Sequence, residues 1–263
     1  MNTNLQYYLR LFFLGLIIHL LGSDNLTAQV CPGGTIILSS QADVDNFPQN
    51  CTIVNGDLII EGADIVDLSP LTNIEEVTGS LVIRDNPMLT VIDGFGSLQI
   101  VRGDLAVISN DSLVELSGFQ LLTLVEEVLE IFSNASLTKL NGFLELRSVG
   151  FLLIRFNASL TQINAFSSLI TVRDVLYISF NPQLFNCCGF KSLLSKGDVG
   201  RLILSDNAEG CNSQDDIEAC PEPEIVPIPT LGEWGLILFS LMLLIVGVTV
   251  LKEQQLSNLA IRK

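Results

Sequence analysis

The stretch Gly79-Ser-Leu81-Val-Ile83-Arg-Asp-Asn86-Pro-Met-Leu89 is the clearest copy of a phrase that runs through most of this chain. The phrase reads Gly-x-Leu-x-Ile-x-x-Asn-x-x-Leu, and its Asn returns about every 24 residues, at Asn110, Asn134, Asn157, Asn181 and Asn207. A period of this length is typical of a solenoid. One coil cannot bury its own apolar face, so successive coils must stack on one another.

Apolar residues recur at fixed distances from each Asn. Leu stands five residues before it and Ile, Val or Leu three residues before it, on one face of a strand whose side chains alternate with period 2. Nine residues after it stands an aromatic residue: Phe95, Phe119, Phe143, Phe166 and Phe190. We therefore predict an all-β fold, a right-handed, single-stranded parallel β-helix or leucine-rich-like solenoid with short capping helices. A C-terminal transmembrane helix completes the prediction.

The repeated Asn is predicted to be structural. An inward Asn side chain can hydrogen-bond the backbone of its turn and the Asn of the next coil. Three of these residues also begin glycosylation sequons, namely Asn110, Asn134 and Asn157. We discount the sequons, because an Asn inside the stack cannot carry a glycan.

The chain divides by composition into six segments. Residues 1–28 read as a secretory signal peptide, with Arg10 before an apolar run, although a membrane anchor is an alternative. Residues 29–50 form an N-terminal cap and 51–220 the solenoid. Residues 221–230 are a Pro-rich linker, 231–251 a transmembrane or sorting segment, and 252–263 a basic cytoplasmic tail. We expect an exported, cell-surface or membrane-anchored protein with an extracytoplasmic solenoid and a single-pass C-terminal helix.

Six cysteines fit an oxidising compartment. Cys31 and Cys51 flank the N-terminal cap and are predicted to form a disulfide. Cys187 and Cys188 are each predicted to pair with Cys211 or Cys220, in an order that the sequence leaves open. A zinc site is disfavoured, because no Cys-x-x-Cys pair is present and the only His, His19, lies in the signal segment.

Caps are also predicted at both ends of the stack. Ser39 or Ser40 is a candidate N-cap for a short helix from Gln41 to Phe47, and Ser213 for a helix near the C-terminal end. A further short helix is expected from about Gly189 to Lys196. Such helices would cover the apolar ends that an open solenoid exposes.

The repeated phrase, the Gly-Phe element and the Cys-bearing ends resemble the receptor L domain, over roughly residues 31–220. The resemblance implies a leucine-rich-like β-helix of the insulin and epidermal growth factor receptor type that acts as a binding module, here in the form found on bacterial surfaces. This chain has no long cysteine-rich segment and no kinase, so the hormones and signalling of those receptors do not carry over.

A second resemblance lies near the C-terminus. The sequence there is similar to the IPTL-CTERM bacterial sorting signal, through Ile228, Pro229, Thr230, Leu231 and Trp234. The resemblance implies recognition by a membrane sorting protease and delivery to the cell surface. Only Lys252 directly follows the apolar span, where such tails have a basic end, so a plain single-pass anchor is the alternative.

Composition and motifs argue against several kinds of activity. No imidazole base is available outside the signal segment, and no phosphate-binding loop is present, so we predict no enzyme and no cofactor. The net charge of −16 disfavours nucleic acid as a partner. No loop has the dense acidic pattern of a calcium site, so no metal is predicted.

The outward face of the strands carries the functional hypothesis. If this face were only in contact with solvent, its residues should be polar. In the middle coils, however, it carries Phe132, Leu153, Phe156, Tyr177 and Phe180. An apolar patch of this kind often marks a partner surface. We expect these five residues to bind an extracellular protein or glycan in recognition or adhesion. The alternatives are a structural envelope spacer without a ligand and a polysaccharide-acting solenoid enzyme.

Overall fold

The computed structural model describes residue 31 and residues 33–221. The predicted signal peptide, the linker beyond Pro221, the transmembrane segment and the tail lie outside the described residues and stay predictions. The residues of the sorting motif also lie outside the described part of the chain. Within residues 33–221, no helix is long and apolar enough to cross a bilayer.

The described chain is an all-β parallel solenoid with a few short helices, as the repeat predicted. Its strands are β1 Ile36–Leu38, β2 Ile53–Val54, β3 Leu58–Ile60, β4 Glu76–Val77, β5 Leu81–Arg84, β6 Val91–Ile92, β7 Ile100–Val101, β8 Leu105–Ile108, β9 Glu115–Leu116, β10 Leu124–Phe132, β11 Lys139–Leu140, β12 Ser148–Arg155, β13 Gln162–Ile163, β14 Thr171–Ser179 and β15 Asp198–Ser205. The main sheet runs β1-β3-β5-β8-β10-β12-β14-β15, and β6, β9, β11 and β13 form a second sheet.

Equivalent repeat positions lie directly beside one another in the main sheet. Leu81 pairs with Leu105, and Leu105 with Leu129, in parallel register. This register follows from the apolar pattern, because a slip of one residue would turn every inward side chain to solvent. Strand β1 comes from the N-terminal cap and pairs with β3; the sequence analysis did not predict it.

The middle coils have longer strands than the early ones, and the difference lies at one corner of the coil. In the early coils Gly79 stands at that corner, where a Cβ atom would lie 2.7 Å from the carbonyl carbon of Gly56 in the preceding coil. In β10 the corner holds Glu127, and the chain passes it through an irregularity in register between Val125 and Val128. There the two short segments of an early coil join into one strand of nine residues, and they join in the same way in β12, where Gly150 stands at the corner.

The interior is a continuous stack of identical side chains. The five predicted Phe residues are fully buried, and neighbouring rings along the row lie 5.0–5.4 Å apart with planes within 13° of parallel. Offset-stacked rings at this separation contribute about 0.5–1.5 kcal/mol per pair beyond the burial of their area. The Phe row therefore holds successive coils together as well as filling each one.

The Asn residues form a ladder, which confirms their predicted structural role. Asn110 Nδ2 donates to the Ile83 carbonyl oxygen at 3.0 Å and to Asn134 Oδ1 at 3.3 Å, and the Asn110 backbone N–H donates to the same Oδ1. The pattern repeats from coil to coil. Asn86, Asn110, Asn134, Asn157 and Asn181 are fully buried, so their side chains are not available for glycosylation.

The N-terminal end is closed by a helix and a disulfide. Helix α1 spans Gln41–Asp45 with Ser40 as its N-cap, so it ends two residues before the predicted Phe47. The Ser40 hydroxyl donates to Asp43 at 2.8 Å and, with Ser39, lowers the pKa of that carboxyl group. Cys31 and Cys51 form the expected disulfide.

The C-terminal end carries the other two disulfides. They join Cys187 to Cys211 and Cys188 to Cys220, which resolves the order that the sequence left open. A 3₁₀ turn at Cys188–Phe190 leads into helix α2, Lys191–Lys196, and helix α3 spans Gln214–Glu218. Ser213 and Asp216 form a reciprocal capping box at the start of α3.

Candidate binding face

The outward side of the main sheet consists of two columns of side chains. In the first column Glu130, Leu153, Tyr177 and Ile203 are neighbours on β10, β12, β14 and β15. In the second column the neighbours are Phe132, Arg155, Ser179 and Ser205. These columns arise because residues that alternate with the buried Leu and Ile must face away from the core.

A third row follows the strand ends and contains two exposed Phe residues. The residue before each repeated Asn has a left-handed backbone: Asp85, Ser109, Ser133, Phe156, Phe180 and Asp206, with φ between 54° and 60°. Each of the first five donates its backbone N–H to a carbonyl of the next coil, as Phe156 does to Ser179 and Phe180 to Ser205. The turn thus keeps its interstrand hydrogen bond while the following Asn points inward.

Phe is an unusual residue for this turn position. Small polar residues such as Asp and Ser tolerate a left-handed backbone better than a bulky ring does. Phe156 and Phe180 are nevertheless there, and they are 45% and 41% exposed. Their rings stack on each other with centroids 4.7 Å apart, and Phe132 meets Phe156 edge to face at 5.4 Å. Three rings from three consecutive coils are therefore in contact on the surface.

Arg155 lies at the centre of these aromatic side chains. Its Cζ atom is 5.5 Å from the centroid of Phe132 and 5.4 Å from that of Tyr177, within the range of cation–π attraction. Its Nη2 donates to Glu130 Oε1 at 2.6 Å. Both partners of this ion pair are largely covered, which places it among the better shielded pairs of the described residues.

The structure brings the five predicted binding residues onto one face. Phe132, Phe156 and Phe180 are in ring contact, and Leu153 is the register partner of Tyr177. We call these five residues the aromatic patch. The sequence analysis missed Arg155 and Glu130 as members of the site. Their opposite charges at outward positions one coil apart were the signal that could have found them.

The described residues do not suggest catalytic or metal chemistry on this face. No group of three or more His, Cys, Asp or Glu side chains within residues 33–221 is placed to hold a metal ion. Glu130, the carboxylate beside the aromatic rings, is bound to Arg155. This face offers a partner an aromatic surface. The guanidinium of Arg155 lies at its centre and is held by Glu130.

Two family models match the chain. Residues 50–134 match the receptor L domain, and residues 226–248 match the IPTL-CTERM motif, a C-terminal sorting motif of surface proteins. The first match covers the N-terminal part of the solenoid and reaches Phe132, while the rest of the aromatic patch lies beyond it. The second match lies outside the described residues. No curated protein matches the chain.

Proposed function

We propose that this protein is a non-enzymatic recognition or adhesion module of the cell surface, and that it binds an extracellular protein or glycan through the aromatic patch. The receptor L domain match indicates a surface recognition or binding module. The sorting motif supports delivery to the surface, and three disulfides support an extracytoplasmic location. Anchoring by a transmembrane segment at residues 231–251 is part of this proposal.

One observation carries the choice of this face. Phe156 and Phe180 occupy a left-handed turn position that disfavours them, and their rings are stacked on each other at the surface. The strained backbone position costs about 1–3 kcal/mol for each residue. Four other coils place Asp or Ser at the same turn. A gain in binding is a physical reason for two Phe residues to be retained there.

The main competing function is a structural spacer, and one comparison separates the two. Phe132→Ser with Tyr177→Ser removes aromatic surface without touching the core. Leu121→Ser with Leu144→Ser serves as a control, because these two exposed residues lie in turns away from the strand face. Cells displaying each variant would be tested for adhesion to immobilised glycans and extracellular proteins. We expect adhesion to be lost only in the patch variant; equal adhesion by both variants would support the spacer.

A further inference from the structure

The last strand of the main sheet has an open edge within the described part of the chain. Strand β15 pairs with β14 on one side, and no strand of residues 33–221 pairs with its other side. It is eight residues long, whereas β1, at the opposite end of the sheet, has only three. A long open edge presents a row of unpaired backbone groups to any chain that can add a strand to it.

The repeat shows which backbone groups face this edge. Phe180 donates its backbone N–H to Ser205, and Leu81 in an earlier coil likewise donates to the coil after it. Leu202 and Asp206 hold the same two repeat positions in the last coil, where no further coil follows. Their backbone N–H groups therefore point away from β14, toward the open edge.

The side chains of β15 leave the end of the core partly uncovered. Leu176 on β14 is fully buried, but its register partner Leu202 is only partly buried. Ile178 and its register partner Leu204 show the same difference. Backbone groups alternate between the two edges of a strand, so those of Leu204 face the open edge together with those of Leu202. One added strand would pair with both residues and cover their side chains.

Opposite charges stand at the two ends of this edge. Arg201 lies before its paired Leu residues and Asp206 directly after Ser205, and both charged residues are exposed. The ion pairs found among the described residues involve neither of them. Two antiparallel copies of β15 would place each Arg201 beside the Asp206 of the other copy. The strand is therefore complementary to itself, as the surface of a two-fold symmetric dimer must be.

We propose that two copies of this protein pair through their β15 edges, antiparallel about a two-fold axis at Ile203. Leu202 of one copy then lies opposite Leu204 of the other, and these residues exchange backbone hydrogen bonds across the axis. Their inward side chains join the two cores. Ile203 faces its own counterpart in a pair without hydrogen bonds, where the two Cα atoms are about 4.5 Å apart.

This pairing makes the binding face bivalent. Because the axis is perpendicular to the sheet, the outward faces of both copies point to the same side. Tyr177 is the register neighbour of Ile203, so the two Tyr177 side chains lie three strand spacings apart, about 14 Å. Two linked sites bind a surface with repeated ligands more tightly than one site does. The pairing itself does not depend on what the aromatic patch binds.

Cysteine cross-linking on cells that display the full-length protein tests the register. Ile203→Cys should give a disulfide-linked dimer on a non-reducing gel after oxidation with copper phenanthroline, because the two Cβ atoms lie close to the 3.5–4.5 Å that a disulfide requires. Val82→Cys is the matched control, since Val82 is also half-buried and lies in the same outward column, but on β5, which is paired on both sides. Cross-linking of Ile203→Cys no greater than that of Val82→Cys would overturn the proposal.

Charge reversal gives a second test that leaves the core untouched. Arg201→Glu places a like charge beside Asp206 of the other copy and should weaken the dimer about tenfold. Sedimentation of the full-length protein in detergent micelles, over a range of concentrations, measures this change. Arg201→Glu with Asp206→Lys restores opposite charges and should restore the dimer. A wild-type protein that is monomeric at every concentration would mean that the edge stays open or has another occupant. That result, or a double variant no better than Arg201→Glu, would contradict the pairing.

Discussion

Phe156 and Phe180 stack on neighbouring coils with ring centroids 4.7 Å apart and ring planes 8° from parallel. The separation equals the spacing of hydrogen-bonded strands, about 4.7–4.9 Å. The stack is therefore a direct product of the solenoid: identical turn positions in consecutive coils place identical side chains face to face. The same rule builds the buried Phe row, so this protein has one aromatic row inside the stack and a shorter one on its surface.

These two rows should respond differently to mutation. Phe166→Ala empties a fully buried site and is expected to lower the free energy of unfolding by about 3–5 kcal/mol. Phe180→Asn loses one exposed stacking contact, worth about 0.5–1.5 kcal/mol, and relieves a backbone strain of similar size, so its net effect should be under about 1 kcal/mol. Denaturant unfolding of both variants measures the difference; similar losses would mean that the surface row is structural.

The Asn ladder should be most sensitive in its middle. Asn134→Ala removes the side-chain partner of the Val107 carbonyl and of the Asn110 backbone N–H, while Asn157 Oδ1 keeps its bond from the residue-134 backbone N–H. At about 1–3 kcal/mol for each of these two groups, the loss should be at least about 2 kcal/mol. Asn207→Ala is the comparison, since Asn207 is only partly buried and water can replace its contacts. A larger loss for Asn207→Ala than for Asn134→Ala would contradict the ladder's role.

Close packing of adjacent coils predicts a contrast between two nearby glycines. A Cβ atom at Gly94 would overlap the carbonyl oxygen of Leu68 in the preceding coil, whereas at Gly96 its nearest neighbour would be Thr72 Oγ1 at 3.5 Å. Gly94→Ala should therefore destabilise the fold strongly, by more than about 2 kcal/mol, as overpacked sites do. Gly96→Ala should be neutral within about 0.5 kcal/mol. Thermal unfolding of both variants measures the two losses of stability. A Gly94→Ala variant as stable as the wild type would show that the coils are less tightly stacked than the structure indicates.

The disulfides should stabilise the two ends of the stack. Replacing Cys188 and Cys220 by Ser opens a link of 32 residues and should cost about 2–5 kcal/mol. The described cysteines are all paired, so the native protein should show no reaction with a thiol reagent unless it is first reduced. Reactive thiols in the unreduced, exported protein would contradict the pairing.

Much of this architecture could be predicted from the sequence, because the information is repeated in every coil. The Leu, Phe and Asn positions recur at one period, and a stack is the arrangement that buries all of them at once. Where the repeat changes, prediction was weaker. The merged strands at Glu127 and the extra strand β1 depend on local backbone geometry that the apolar pattern does not encode.

The site was harder to predict than the fold. Phe132 and Tyr177 could be placed on the outward face by counting from the Asn, but the contacts of Arg155 depend on side-chain directions across three strands. The sequence therefore did not predict Arg155 and Glu130 as members of the site, because their roles depend on residues of neighbouring coils that are distant in the chain.

The most direct test of the central claim is adhesion by the full-length protein with Phe132→Ser and Tyr177→Ser, measured beside the Leu121→Ser, Leu144→Ser control. If the aromatic patch is the recognition surface, the first variant should fold with an unchanged circular dichroism spectrum but no longer adhere. The control should adhere like the wild type. A folded patch variant that adheres as well as the wild type would contradict that claim.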